Sequence, residues 1–187
     1  MQKRDSEDEY GDKIILPEMA MAYINGTTAQ YPLMFRISNG SQSSYCGVKE
    51  FSAPERNCYV PRWIMAKLRI SPGDYLIVEN LNLRKATFVK LKFRDGTFGE
   101  LSNPRAILEI KLKNFSVLSK GDSITIEHLG KEYIIDIIDT QPDDVVVIVE
   151  TDVEVDIEYA EVEKISPAIQ EESDVTEPSP QIARFAE

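Results

Sequence analysis

LSNPRAILEIKLKNFSVLSKGDSITI, Leu101 to Ile126, is the stretch on which the fold turns. Ser102-Asn103-Pro104 is a helix start: Asn is a good N-cap, and Pro suits the first helical position, where its missing N–H costs nothing. The segment ILEIKLKNF then carries Ile107, Leu108, Leu112 and Phe115 toward a core at helical spacing. Ser119-Lys120-Gly121-Asp122 closes it. Gly121 can take a positive φ, Asp122 can hydrogen-bond the nearby backbone and hold the turn, and Ile124 and Ile126 then point to one face of a strand. Helix, Ser-x-Gly-Asp turn, strand is the expected order.

The same pattern stands earlier, in ISPGDYLIVENL, Ile70 to Leu81, with Gly73-Asp74 at the turn and Leu76 and Val78 beyond it. A phosphate-cradling loop wants several glycines and a following helix, and here a strand follows each pair. Gly73, Asp74, Gly121 and Asp122 are therefore expected to be architectural corners.

Outward from these corners the chain alternates short strands with a few short helices. KIIL (Lys13 to Leu16) is a β-type run, and Pro17 opens a helix, PEMAMAYI. YPLMFRIS follows as a strand with Leu33, Phe35 and Ile37 on one face, and Asn39-Gly40 turns it. CGVKEFSA and the short CYVP (Cys58 to Pro61) are expected strands. Pro61 starts a second helix, PRWIMAKLRI. ATFVKLKF ends at Asp95-Gly96, SITIEHL and KEYIIDIID form a hairpin through Gly130, and VVVIVETDVEVDI is expected as one long strand. Together these define a β-rich α+β domain in two parts that join near Ser102.

Composition narrows the function. Of 187 residues 42% are hydrophobic, ample for a core, and the net charge is −11. Twelve Asp and Glu against Lys164 and Arg184 lie from Glu150 onward, so the rest of the chain is close to neutral. No dense basic patch exists, which argues against nucleic acid. No apolar run approaches the roughly 20 residues of a membrane span, and the polar start, MQKRDSEDEYGD, is no secretory signal. Cytoplasm or nucleus is the expected location. Two cysteines, Cys46 and Cys58, and one histidine, His128, are too few for a Cys/His-only zinc site; both thiols are expected reduced, in or near the core. His128 is flanked by Glu127 in an expected hairpin, Asp139-Thr140-Gln141 lacks the glycine of an aspartic protease element, and no Gly-rich nucleotide loop appears. No catalytic residue, cofactor or metal is expected. YPLMF and YVPRW set aromatics beside prolines, a composition enriched in interaction sites and equally in cores.

Taken in order, KIILPEMAM, YPLMFRISN, YCGVKEF, NCYVPRWIM, ATFVKL, LSNPRAILEIKLKNFSVLSKGDSITI and KEYIIDI…VVVIVETDVEVDI resemble the N-terminal domain of the ubiquitin fusion degradation protein family across about residues 12 to 158. The resemblance implies a double-psi β-barrel subdomain over 12–102, a smaller mixed α/β subdomain over 103–159, and likeness to the N domain of the valosin-containing AAA ATPase. Residues 1–11 are expected disordered and 160–187 an acidic flexible tail. It further implies a noncatalytic adaptor that binds ubiquitin and polyubiquitin chains. With the nuclear protein localisation partner, such an adaptor recruits ubiquitylated substrates to that ATPase for the proteasome, including substrates withdrawn at the cytosolic face of the endoplasmic reticulum. Tyr31, Arg62 and Trp63 on the barrel side and Tyr133 and Asp136 in the last hairpin are the expected partner contacts. Three features depart from the family pattern: Ala86 replaces a glycine, EYAEVEK stands where a Pro-Leu-Gly-Tyr-like run belongs, and no Phe-x-Gly-x-Gly box follows Tyr159. The last implies a reduced homologue, a truncated chain, or an ATPase contact made otherwise. A double-psi barrel enzyme of the self-processing decarboxylase or aspartic hydrolase type is the alternative, with Gly40-Ser41 as its one toehold; a docking subunit that does not bind ubiquitin is another.

Overall fold

The computed structural model describes residues 9–160. Ten strands and three α-helices build a β-rich α+β fold. Strand β1 (Ile14–Pro17) leads directly into α1 (Glu18–Asn25), which buries Ile24. β2 (Met34–Ser38), β3 (Ser43–Ala53) and β4 (Ile77–Leu81) join β1 in one sheet of order β1-β3-β2-β4, with β1 parallel to β3 and the other pairs antiparallel. Helix α2 (Arg62–Leu68) closes this half by burying Ile64 and Leu68 against Phe35, Ile37 and Cys46.

The second sheet has the order β10-β5-β8-β7, formed by β5 (Phe88–Phe93), β7 (Ser123–His128), β8 (Lys131–Gln141) and β10 (Glu154–Tyr159). β10 runs parallel to β5, and the remaining pairs are antiparallel. Helix α3 (Pro104–Leu112) covers it, and β6 (Val117–Ser119) and β9 (Val145–Val147) form a two-stranded ribbon beside it. The core here is aromatic. Phe93 stacks on Phe98 at 4.2 Å, and Tyr133 meets Phe98 edge-on at 4.9 Å. Such pairs each add about 0.5–1.5 kcal/mol beyond burial alone.

Several expectations are corrected. CYVP forms no strand: Tyr59 joins Ile15 in an isolated bridge, with both N···O distances 3.0 Å. VVVIVETDVEVDI is two strands, because Glu150 turns left-handed (φ 50) between them and each half finds a different partner, β6 or β5. Phe88–Phe93, which precedes the division expected at 102, hydrogen-bonds to β8 and β10 and so belongs to the second sheet. Glu9 to Gly11, expected disordered, are ordered: the Tyr10 hydroxyl donates to Glu132 at 2.6 Å, and Glu9 accepts the Arg62 N–H at 3.0 Å. Residues 1–8 and 161–187 lie outside the described residues.

The two Ser-x-Gly-Asp turns share one geometry. In each the Asp N–H donates to the Ser carbonyl at 3.1 Å, with φ of 101° at Gly73 and 83° at Gly121. Their surroundings differ. α2 has already ended at Arg69, itself left-handed, before the first turn begins. The second turn follows strand β6 rather than a helix, and it is locked to β8 by Gly121 N–H to Ile137 O (2.8 Å) and Ile137 N–H to Asp122 O (2.9 Å). Asp122 also takes a 2.5 Å contact from Lys67 of α2.

The two halves are sewn together by groups remote in sequence. The buried Asp12 carboxylate accepts the Ser116 N–H on both oxygens (2.8 and 2.9 Å) and the Val117 N–H at 2.8 Å. The Trp63 indole N–H donates to Gly11 O at 2.8 Å, and its ring packs against both cores. β3 approaches Ser116 so closely that a Cβ on Gly47 would lie 2.2 Å from the Ser116 hydroxyl.

Candidate interaction surface

Helix α1 has apolar side chains on every face, and the sheet can cover only one. Ile24 is buried and Ala20 and Met21 pack on the first core, which leaves Met19, Ala22 and Tyr23 outward at i, i+3 and i+4. Met19 is 67% exposed and Tyr23 79%. Tyr31, in the loop after the helix and joined to Pro32 by a cis peptide, is also 67% exposed. Amphipathic aromatic and Met side chains standing outward on one element are the composition of a protein-recognition surface.

The second half carries its own exposed apolar residues. Ile134 and Ile138 stand on the outer face of β8 on either side of Asp136. Ile138 is the extra residue of a bulge opposite Lys90 and Leu91. Leu129 sits exposed at the tip of the β7–β8 turn. A groove of about 460 Å³ also opens between α3 and residues 151–157, floored by Leu108, Leu112, Leu118 and Ile148 and rimmed by Arg105 and Asp152.

The five residues singled out by sequence do not converge. Tyr31 is open to solvent, and Arg62 is exposed at the start of α2. Trp63 is half-buried at the junction of the halves. Tyr133 is corrected to a core residue, 4% exposed, because β8 alternates and Tyr133, Ile135 and Ile137 face inward. Asp136 is outward but engaged: Arg94 grips it with Nε at 2.8 Å and Nη2 at 2.6 Å, the Ser123 hydroxyl donates at 2.6 Å, and the guanidinium holds its carboxyl below the usual range. Met19, Tyr23, Ile134 and Ile138 were missed. Their signal was present for α1, since EMAMAYI has more apolar residues than one buried stripe uses.

Catalytic toeholds are also placed. Gly40-Ser41 sits in a turn where Asn39 Oδ1 accepts the Ser41 N–H (2.9 Å), the Ser41 hydroxyl (3.1 Å) and the Gln42 N–H (2.7 Å). His128 ends β7 opposite Lys131. Among the described residues no group of His, Cys, Asp or Glu is placed to hold a metal, and no helix is long and apolar enough to cross a membrane.

The seam between the sheets, after β4 and before β5, coincides with a seam between two family models. Residues 1–84 match the model described as ubiquitin fusion degradation protein UFD1, N-terminal subdomain 1, and residues 85–160 match subdomain 2. The class is thus a paired-subdomain N-terminal domain. The chain is 39% identical over 150 residues to the ubiquitin fusion degradation protein 1 homolog of Dictyostelium discoideum, covering 79% of this chain and 46% of that one. It is 37% identical to the proteins named ubiquitin recognition factor in ER-associated degradation protein 1 of Mus musculus and of Homo sapiens. These alignments cover 90% and 82% of this chain and 56% and 50% of those proteins. The chain belongs to the ubiquitin fusion degradation protein family. It spans about half the length of the curated relatives it matches.

Proposed function

We propose that this chain is a noncatalytic ubiquitin-binding adaptor. It delivers ubiquitylated proteins to the valosin-containing AAA ATPase, together with the nuclear protein localisation partner, for proteasomal degradation that includes substrates from the endoplasmic reticulum. In this reading the first half is the double-psi β-barrel of an N domain like that of the ATPase, and the chain works in the cytoplasm and nucleus. Membership of a family whose mammalian relatives are named ubiquitin recognition factors carries the proposal. The exposed apolar face of α1 with Tyr31 supplies the contact surface, and the outer face of β8 supplies a second, separate one. Two contacts on one chain favour polyubiquitin over single ubiquitin through avidity, since the second engagement is intramolecular.

NMR titration with mono- and tetra-ubiquitin tests this. Shifts are expected at Met19, Tyr23 and Tyr31, with tetra-ubiquitin bound at least about tenfold more tightly. Tyr23→Ala combined with Met19→Ala should weaken binding about tenfold or more while leaving stability within about 0.5 kcal/mol, because both side chains are outward. Absence of any shift at millimolar ubiquitin would overturn the proposal.

A further inference from the structure

The groove between α3 and β10 is apolar where it is deep and charged where it meets solvent. Leu108 and Leu112 of α3 line one wall, and Val153, Val155 and Ile157 at β10 line the other. Leu112 and the three residues of the second wall are only half-buried, so helix and strand leave apolar surface uncovered. Along the α3 rim stand Arg105, Glu109 and Lys113, at i, i+4 and i+8, all exposed. The Arg105 guanidinium donates to Val155 O at 3.4 Å. None of the three rim charges has an ion-pair partner among the described residues.

We propose that this groove seats the chain's own residues 164–170, KISPAIQ, which fold back from the end of β10 and lay Ile165, Ala168 and Ile169 against its apolar walls. Reach selects this segment first. The Ala160 N–H still donates to Phe93 O at 3.0 Å, so the chain leaves the sheet there. Ile157 lies three residues back, about 10 Å along the strand. The five steps from Ala160 to Ile165 span up to about 17 Å, enough to reverse and meet Ile157. Ile165 to Ile169, extended, then covers about 13 Å, the same as the wall from Ile157 to Val153. Charge selects it next. Glu163 arrives beside Arg105, Lys164 beside Glu109, and Glu171 and Glu172 beside Lys113. Asp152 on the opposite rim is the one like charge met at that end. Residues 161–187 hold one other long acid-free run, 178–186. There Arg184 interrupts the apolar pair Ile182 and Phe185, whereas Ile165 to Ile169 are uncharged. Seventeen residues, 161–177, also separate that run from Ala160, which lowers its effective concentration. A second copy or a foreign peptide must compete with a segment tethered at about millimolar effective concentration.

Methyl NMR of the full chain tests this. Through-space contacts are expected from the Ile165 and Ile169 methyls to those of Leu112 and Val155. Ile165→Asp combined with Ile169→Asp touches neither sheet, and it should abolish these contacts and shift the methyls of Val153, Val155 and Ile157. Lys113→Glu should lower the docked fraction about threefold, and Glu171→Lys with Glu172→Lys in the same chain should restore it. Four results would overturn the proposal. The groove methyls stay unmoved in the Ile165 and Ile169 variant, or docking is indifferent to Lys113→Glu. The same loss follows from Ile182→Asp with Phe185→Asp, which assigns the groove to 178–186. The contacts vanish on dilution, which assigns it to a second copy. Ubiquitin-induced shifts at Met19, Tyr23 and Tyr31 are expected unchanged in the Ile165 and Ile169 variant, so this docking and the adaptor reading stand or fall separately.

Discussion

Asp12 is the only fully buried carboxylate among the described residues, and it sits at the junction of the halves. Burial pushes its carboxyl up to about 6, against the Ser116 and Val117 N–H donors and the nearby Lys13 ammonium, which hold it down. Its folded-state value exceeds the ordinary value of 3.8, so the native state takes up a proton that the unfolded chain has already released. The associated stabilisation is complete below about pH 4 and is lost as pH rises through about 6, a swing of roughly 3 kcal/mol. Urea unfolding of the chain and of Asp12→Asn between pH 4 and 7 is expected to show that slope in the first and its absence in the second. Sequence reading placed Asp12 only at the margin of the first part, because its partners lie 104 and 105 residues away and no local pattern announces them. Tyr133 failed for a related reason: an aromatic in a hairpin can face either way, and only the pairing of β8 with both β5 and β7 settles which.

Elements whose signals are local were legible. Asn103 accepts the Ala106 N–H at 3.3 Å, Pro104 occupies the first turn, and Leu108 is buried, as the Ser-Asn-Pro start and the apolar spacing foretold. Asn103→Ala should cost about 1 kcal/mol in thermal or urea unfolding. Strand β2 was equally plain, but its reading understated burial, since Met34 is covered by Val117 and Val147 of the β6–β9 ribbon. The last strand was misread because valine-rich continuity says nothing about where partners end. Val145–Val147 serves the ribbon and Glu154–Tyr159 serves β5, and the chain must turn between them. The candidate surface was half legible: Tyr31 was named from its neighbours, whereas α1 required knowing which of its apolar faces the sheet takes.

At the scale of the whole molecule, the seam between sheets was not readable from composition. β5 looks like a continuation of the strand-rich first part, and only its pairing to β8 and β10 assigns it to the second. The halves meet at tolerances that one methyl group violates. Gly47→Ala would bring a Cβ within 2.7 Å of the Ser116 Cβ as well as onto its hydroxyl. Overpacking of this kind costs about 1–3 kcal/mol. Ser116→Gly in the same molecule removes the clash, and the double variant is expected to recover more of the urea midpoint than the two separate effects would sum to, a coupling that marks direct contact.

The Asp12 contact also sets a timetable. The ribosome makes residue 12 long before residue 116, and at about 5–20 residues per second the separation amounts to roughly five to twenty seconds of synthesis. Through that interval the nascent chain carries a carboxylate whose native partners do not yet exist, while β1 can already pair with β3 and Tyr59. The Asp12 carboxylate is therefore secured only when the second half arrives, whereas the strand beside it is already held by β3 and Tyr59. Nascent chains arrested before Ser116 should leave Asp12 more open to protease than chains released a few dozen residues later, whereas the Gly11–Trp63 contact needs only residues already made by position 63.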